Sequence, residues 1–285
     1  MRRRHCALLC VVVLLLLLRL VAEFRGMLRS AGDAQLLAHG LAQHRAGGCD
    51  AAVAARERAP GPRNATCALG GVLSFWAGGA GSRALAAGRS AHFERIAAAS
   101  VRNHAFAAEK LGIPYFLATN GHARCGKMRA VSEHLAKIPE GAWLLFLDAD
   151  AALECKSPAA DVERHVCGVA SMSGARFAAI SLVIGSRFGF FAARNDPWAR
   201  GFFRRFADTL ASKPLLCAAS PFPENSAANE LTTEADRCHY LGAPKLVEST
   251  GFHLVGVEAK RNESLVDEYV SRVDAETRCW SGIQG

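Results

Sequence analysis

Five consecutive apolar residues, Trp143 to Leu147, followed by Asp148, Ala149, Asp150 and Ala151, make the sharpest local pattern in the chain. Such a run predicts a strand buried on both faces, and its period of two puts both carboxylates on one face at its C-terminal end. Elements of two kinds alternate around it. Gly70 to Trp76 predicts a strand, and Gly78-Gly79-Ala80-Gly81 a loop that matches neither the Walker nor the dinucleotide spacing. Ser90 to Leu111 predicts a helix with Phe93, Ile96, Ala97, Val101 and Ala105 on one face, stopped by Gly112 and Pro114. Tyr115 to Ala118 is a second strand. A helix opens at Cys125-Gly126-Lys127, carries Met128, Val131, Leu135 and Ile138 on its apolar side, and closes at Pro139. Phe177 to Ile184 and Phe188 to Asn195 are further apolar runs. Asp196 as N-cap and Pro197 in the first turn then start a helix whose Trp198, Phe202, Phe203 and Phe206 read as a core-facing aromatic face. Pro221 to Asn225 leads into a helical stretch from Ser226 to Ala235, and a late strand-like segment runs through Phe252-His253-Leu254-Val255-Gly256. The β-α-β order implies parallel pairing, hence an α/β fold with a mostly parallel central sheet flanked by helices.

The N-terminus follows a different rule. Arg2 to Arg4 precede an unbroken apolar run from Cys6 to Leu18, and Leu20, Val21 and Ala22 follow Arg19. This predicts residues 1–24 as a cytosolic tail and signal-anchor helix, with the body of the chain lumenal. A cleaved signal peptide is the competing reading, but Leu20-Val21-Ala22 is an indifferent cleavage site. Residues 25–68, rich in Ala, Gly and Arg, read as a stem, and 69–285 as the folded lumenal domain.

Composition narrows the class. The 285 residues are 51% hydrophobic and 21% charged, which is globular. The net charge of +8 suggests nucleic acid until it is located: +5 lies before residue 30 and only +3 after it. Without a basic stripe interleaved with aromatics, nucleic-acid binding is not expected. Cys6 and Cys10 lie in the apolar run; Cys49, Cys67, Cys125, Cys155, Cys167, Cys217, Cys238 and Cys279 remain, even in number and without zinc-type spacing. Disulfides in an oxidising lumen are therefore expected, and their connectivity stays open. The sequons at Asn64 and Asn262 agree with that compartment.

Candidate chemistry concentrates at the strand end. Asp148 and Asp150 held close together repel unless a cation sits between them, so they are candidate ligands for Mn²⁺ or Mg²⁺. The alternative is an Asp-rich turn with both side chains solvated. Lys127 stands at a helix start where a cation and free N–H groups meet phosphate, or it is an ordinary solvated lysine. His253 in an apolar segment is, by itself, most simply a core histidine.

In this order the motifs resemble the GT-A glycosyltransferases, and within them the family of fungal Golgi galactosyl- and mannosyltransferases and plant xyloglucan xylosyltransferases. Asn103-His104-Ala105-Phe106-Ala107 followed by Leu111 to Tyr115 resembles the family's asparagine-and-tyrosine helix and strand, with Phe106 at the tyrosine. Gly126-Lys127-Met128 resembles its Asp-Lys helix opening, with Gly126 at the aspartate; Trp143 to Ala151 resembles its Asp-Ser-Asp strand, with Ala149 at the serine. Gly189 to Asn195 and Trp198 resemble its glycine strand, while Ser186-Arg187-Phe188 stands where an asparagine is usual.

The resemblance implies a Rossmann-like GT-A domain with Asp148, Asp150 and His253 as metal ligands, His253 and Gly256 matching a late histidine-x-x-glycine. Asp150 is implied as the direct ligand, with Asp148 sharing the metal through water or reaching the ribose. Lys127 and Lys260 are implied as diphosphate contacts, Gly189 as part of the donor site, and Glu224 with Asn225, the latter in place of a glutamine, as sugar-facing residues. The implied activity is transfer of a hexose or pentose from a nucleotide sugar to a glycan or glycoprotein acceptor, with retention, by a single-pass type II Golgi protein. Two rivals belong to other classes. One is a non-catalytic GT-A-like subunit binding a partner glycosyltransferase or a glycan, suggested by the departures at Asn225 and at 186–188. The other, a haloacid-dehalogenase-like phosphatase, requires a threonine where Ala152 stands.

Overall fold

A computed structural model of the chain describes residues 68–76, 87–119, 125–155, 181–186, 188–219, 223–233, 236–242, 251–254 and 262–282. The expected anchor, nearly all of the stem, the loop 78–81, Gly256 and Lys260 lie outside the described residues. Among those described, no helix is long and apolar enough to cross a membrane.

The elements in chain order are β1 (Leu69–Phe75), α1 (Ala87–Leu111), β2 (Tyr115–Ala118), α2 (Gly126–Leu135), β3 (Trp143–Asp148), β4 (Ala151–Leu153), β5 (Leu182–Ser186), β6 (Phe190–Arg194), α3 (Pro197–Ala211), α4 (Pro214–Ala219), α5 (Pro223–Leu231), a short 3₁₀ turn (Asp236–His239), β7 (Tyr240–Gly242), β8 (Gly251–His253) and α6 (Glu263–Ser281). Six strands form one sheet in the order β2-β1-β3-β6-β5-β7, and β4 pairs separately with β8. Pairings β1–β2, β1–β3 and β5–β7 are parallel, and only β6 runs against its neighbours β3 and β5. The expected mostly parallel α/β sheet is present, with one antiparallel strand in its interior.

Period two explains why the central strands read as unbroken apolar runs. On one face Leu73, Phe75, Leu144, Phe146, Phe191 and Ala193 meet α2 and α3 through Met128, Val131, Leu135, Phe202, Phe203 and Phe206. On the other face Val72, Trp143, Leu145, Leu147, Phe190 and Ala192 meet Ala107 and Ala108 of α1 and Trp280 of α6. Both faces are covered, so neither can be polar. Asp196 caps α3 as expected, its carboxylate accepting from Ala199 N at 2.9 Å.

Two expectations shift. The buried side of α1 is centred on Ile96, Ala97, Ser100, Asn103, His104, Ala107 and Ala108, whereas Phe93, Val101 and Ala105 are only half-buried. Apolar spacing misplaced the face because three of its members are polar. Helix α5 begins at Pro223, three residues before the expected start, so Glu224 and Asn225 lie in its first turn. Proline tolerated in a first helical turn explains the earlier start.

Two disulfides are described: Cys125–Cys217 ties the start of α2 to α4, and Cys155–Cys279 ties the chain after β4 to the end of α6. Asn262, the second sequon asparagine, is exposed and caps α6.

Candidate active site

Neighbouring strands β2, β1 and β3 create a switch point. The chain leaves β1 for β2 on one side and later enters β3 on the other, and such a reversal opens a crevice at the C-terminal strand edge. Asp148 is the last residue of β3 and stands in register with Phe75, the last of β1.

The two aspartates are not brought together by strand alternation, as the sequence had suggested. The strand ends at Asp148, Ala149 and Asp150 form a turn, and β4 begins at Ala151. The aspartates at 148 and 150, residues that favour turns, end the strand there. The second strand pair then supplies the third member: Ala151 is paired with His253, and Leu254 N donates to Asp150 O at 2.9 Å. His253 Nε2 comes to 3.0 Å from Asp150 Oδ1.

One ligand atom from each of Asp148, Asp150 and His253 falls within 4.8 Å of the others. Two carboxylates and an imidazole are donors suited to a divalent ion such as Mn²⁺, and 3.0 Å fits adjacent ligands of an octahedral ion with bonds of about 2.1 Å. Gly189 keeps the space open. A Cβ there would stand 2.6 Å from His253 Cε1 and 2.9 Å from Asp148 Oδ2. The hydrogen bond of Asp148 N to Gly189 O, 2.8 Å, holds that backbone beside the site. The donor set and the cradle both fit a metal.

Lys127 and Glu224 complete the cluster. Lys127 Nζ lies 2.9 Å from each carboxylate oxygen of Asp148, 3.1 Å from Glu224 Oε1 and 3.4 Å from Phe188 O, over the ring of Phe146. Only 12% of its side chain is exposed, which rules out the solvated reading. Burial alone would favour the neutral amine, but Asp148 and Glu224 outweigh it and raise the pKa above its ordinary value, so the ammonium persists. For Asp148 burial is the largest influence, and with the nearby Asp150 charge it pushes the carboxyl upward against the pull of Lys127 and His253. A positive partner at that position lowers the cost of holding ionised carboxylates there.

Of the residues singled out from the sequence, Asp148, Asp150, His253, Lys127, Gly189 and Glu224 therefore meet at one sheet edge. Asn225 is half-buried beside Glu224 in the first turn of α5. Gly256 and Lys260 lie outside the described residues. Missing from the sequence reading were roles for Asn103 and His104, whose side chains reach β4 from the buried face of α1. The available signal was two adjacent polar residues interrupting the core side of a long helix.

No protein-family model matches the chain. No curated protein matches it either. Among solved structures it is similar to a glycosyltransferase involved in the glycosylation of the major capsid of PBCV-1, with 13% identity and a TM-score of 0.46 over 70% of this chain and 99% of that one. A likeness at those values leaves function to be argued from the side chains at the sheet edge.

Proposed function

We propose that this protein is a metal-dependent glycosyltransferase of the GT-A type, using a nucleotide sugar as donor and a glycan or glycoprotein as acceptor. One observation carries the reading: Asp148, Asp150 and His253 converge within 4.8 Å at the C-terminal edge of the sheet, with the ammonium of Lys127 beside them. Such an arrangement suits an anionic leaving group. When bound there, a divalent ion supplies Lewis-acid stabilisation of the charge that develops on the departing diphosphate.

The residues divide the work. Asp148, Asp150 and His253 would hold the ion, and Gly189, where a Cβ would meet His253 and Asp148, leaves the donor room to approach. Lys127 balances the carboxylate charge and stands close enough to Asp148 to serve a phosphate oxygen in the same crevice. Glu224, paired with Lys127 at 3.1 Å, is placed to orient polar groups of the donor. In a retaining transfer the acceptor hydroxyl forms the new bond to the anomeric carbon as the diphosphate leaves. Its proton passes to the leaving phosphate oxygen, so no protein base is required.

The secretory setting, with a type II anchor in the Golgi membrane, is part of the same proposal. Paired cysteines at 125/217 and 155/279, the sequons and the N-terminal apolar run support it. The test is thermal stabilisation of the full-length protein by a panel of nucleotide sugars, with and without Mn²⁺. Stabilisation that requires both components is expected. A protein indifferent to every nucleotide sugar in Mn²⁺ would instead favour the non-catalytic subunit.

A further inference from the structure

Strand β4 has two edges, and the site depends on both. Leu254 N bonds Asp150 O, so the backbone groups of Asp150 and Ala152 face β8. Alternation turns those of Ala151 and Leu153 the other way, where, among the described residues, the two-stranded sheet has no third strand to receive them. Helix α1 supplies the missing partners from side chains. Asn103 Oδ1 accepts from Leu153 N at 2.8 Å and Asn103 Nδ2 donates to Leu153 O at 3.1 Å, the pair of bonds a neighbouring strand would make. One helical position on, His104 Nε2 donates to Ala151 O at 2.9 Å. A carbonyl can only accept, so Nε2 carries the proton and Nδ1 is left to accept from the hydroxyl of Ser74, 2.7 Å away. Asn103, His104 and Ser74 are all fully buried.

The consequence lies one residue away. Asp150 is the turn residue that leads directly into β4, and its carbonyl accepts from Leu254 N, so a slip or twist at Ala151 would carry the Asp150 carboxylate away from His253. We propose that Asn103 and His104, with Ser74 behind His104, are positioning residues that lock the phase of β4 and thereby hold Asp150 against His253 for metal binding. Neither touches the metal or the substrate. This rests on the metal-site reading above.

The experiment measures Mn²⁺ affinity of the full-length protein directly, from the free-Mn²⁺ electron paramagnetic resonance signal, alongside the melting temperature. Asn103→Leu removes both bonds to Leu153, and His104→Phe removes the bond to Ala151 O while keeping bulk. Each is expected to weaken Mn²⁺ binding at least tenfold. His104→Gln, whose amide N–H can reach the same carbonyl, is expected to recover most of the affinity, whereas a packing role would show up in the melting temperature alone. Folded Asn103→Leu or His104→Phe protein binding Mn²⁺ within twofold of wild type would overturn the proposal. Should either variant not fold, Ser74→Ala and Asn103→Asp decide in its place: weakened binding supports the proposal and wild-type binding overturns it. Wild-type protein that binds no Mn²⁺ would remove the metal-site reading itself and this inference with it.

Discussion

Gly189 and His253 approach so closely that no β-carbon fits between them: one built on Gly189 would stand 2.6 Å from Cε1 of the imidazole. The obstructing atom is the far end of a side chain, so the ring can give way where backbone could not. Gly189→Ala is therefore expected to fold, displace His253 from Asp150, and weaken Mn²⁺ binding about tenfold or more, the cost of about 1.4 kcal/mol for one lost ligand interaction at minimum. Circular dichroism and a Mn²⁺ titration check the two halves of that expectation. Wild-type affinity in Gly189→Ala would show that the ring does not need its present position.

Lys127 answers to two carboxylates at once. Lys127→Met keeps the length of the side chain but leaves Asp148 and Glu224 buried without their cation, and breaking a buried pair from one side costs about 3–5 kcal/mol. Chemical denaturation should register that loss in the apo protein. Added Mn²⁺ should restore part of it, because the ion neutralises Asp148 from the other direction. No stability difference from wild type would contradict the charge-balance role.

Buried His104 predicts a pH dependence. Burial, opposed by the bond to Ala151 and the charge of Asp150, lowers its pKa to about 4, so the folded protein holds it neutral while the unfolded chain titrates near 6.5. Its contribution to stability is thus fully present above about pH 6.5 and is lost as pH falls from there toward 4, about 3 kcal/mol in total. Denaturation midpoints measured across that window should fall for wild type and fall less for His104→Gln, which cannot titrate. Parallel curves for the two proteins would refute the assignment.

The Cys155–Cys279 bridge closes a segment of 124 residues between the exit of β4 and the end of α6. Near it, Cys155 N donates to Glu276 Oε2 at 2.8 Å and Trp280 Nε1 to Leu153 O at 3.3 Å. Replacing both cysteines by alanine should cost about 2–4 kcal/mol, read from urea unfolding. The Asp150 site should survive, since β8 and α1 hold β4 independently of the bridge.

What could be read in the sequence follows the range of each interaction. The Trp143–Leu147 run, the Asp196-Pro197 cap and the Met128–Val131–Leu135 stripe are local patterns, and each became the element expected. Asp148 and Asp150 were found as a pair, but their meeting depends on a turn at 149–150 rather than on strand alternation. The third ligand candidate is 103 residues beyond Asp150, and apart from the resemblance of His253 and Gly256 to a late histidine-x-x-glycine its apolar surroundings read as those of a core histidine. Lys127 and Glu224 meet only once α2 and α5 have been placed against the sheet. The structural role of Asn103 and His104 was hidden by the opposite effect: hydrophobic periodicity cannot register polar residues on a buried face, although their bonds to β4 are what permit their burial.

The central claim is that Asp148, Asp150 and His253 hold a metal that assists departure of a sugar nucleotide's diphosphate. The most direct measurement is release of nucleoside diphosphate from a panel of nucleotide sugars by full-length protein, for wild type and Asp150→Asn, in Mn²⁺ and in chelator. Wild type is expected to release nucleoside diphosphate in Mn²⁺ from at least one donor, and that release to drop a hundredfold or more on chelation or in Asp150→Asn. Equal release by Asp150→Asn in metal-free buffer would contradict it.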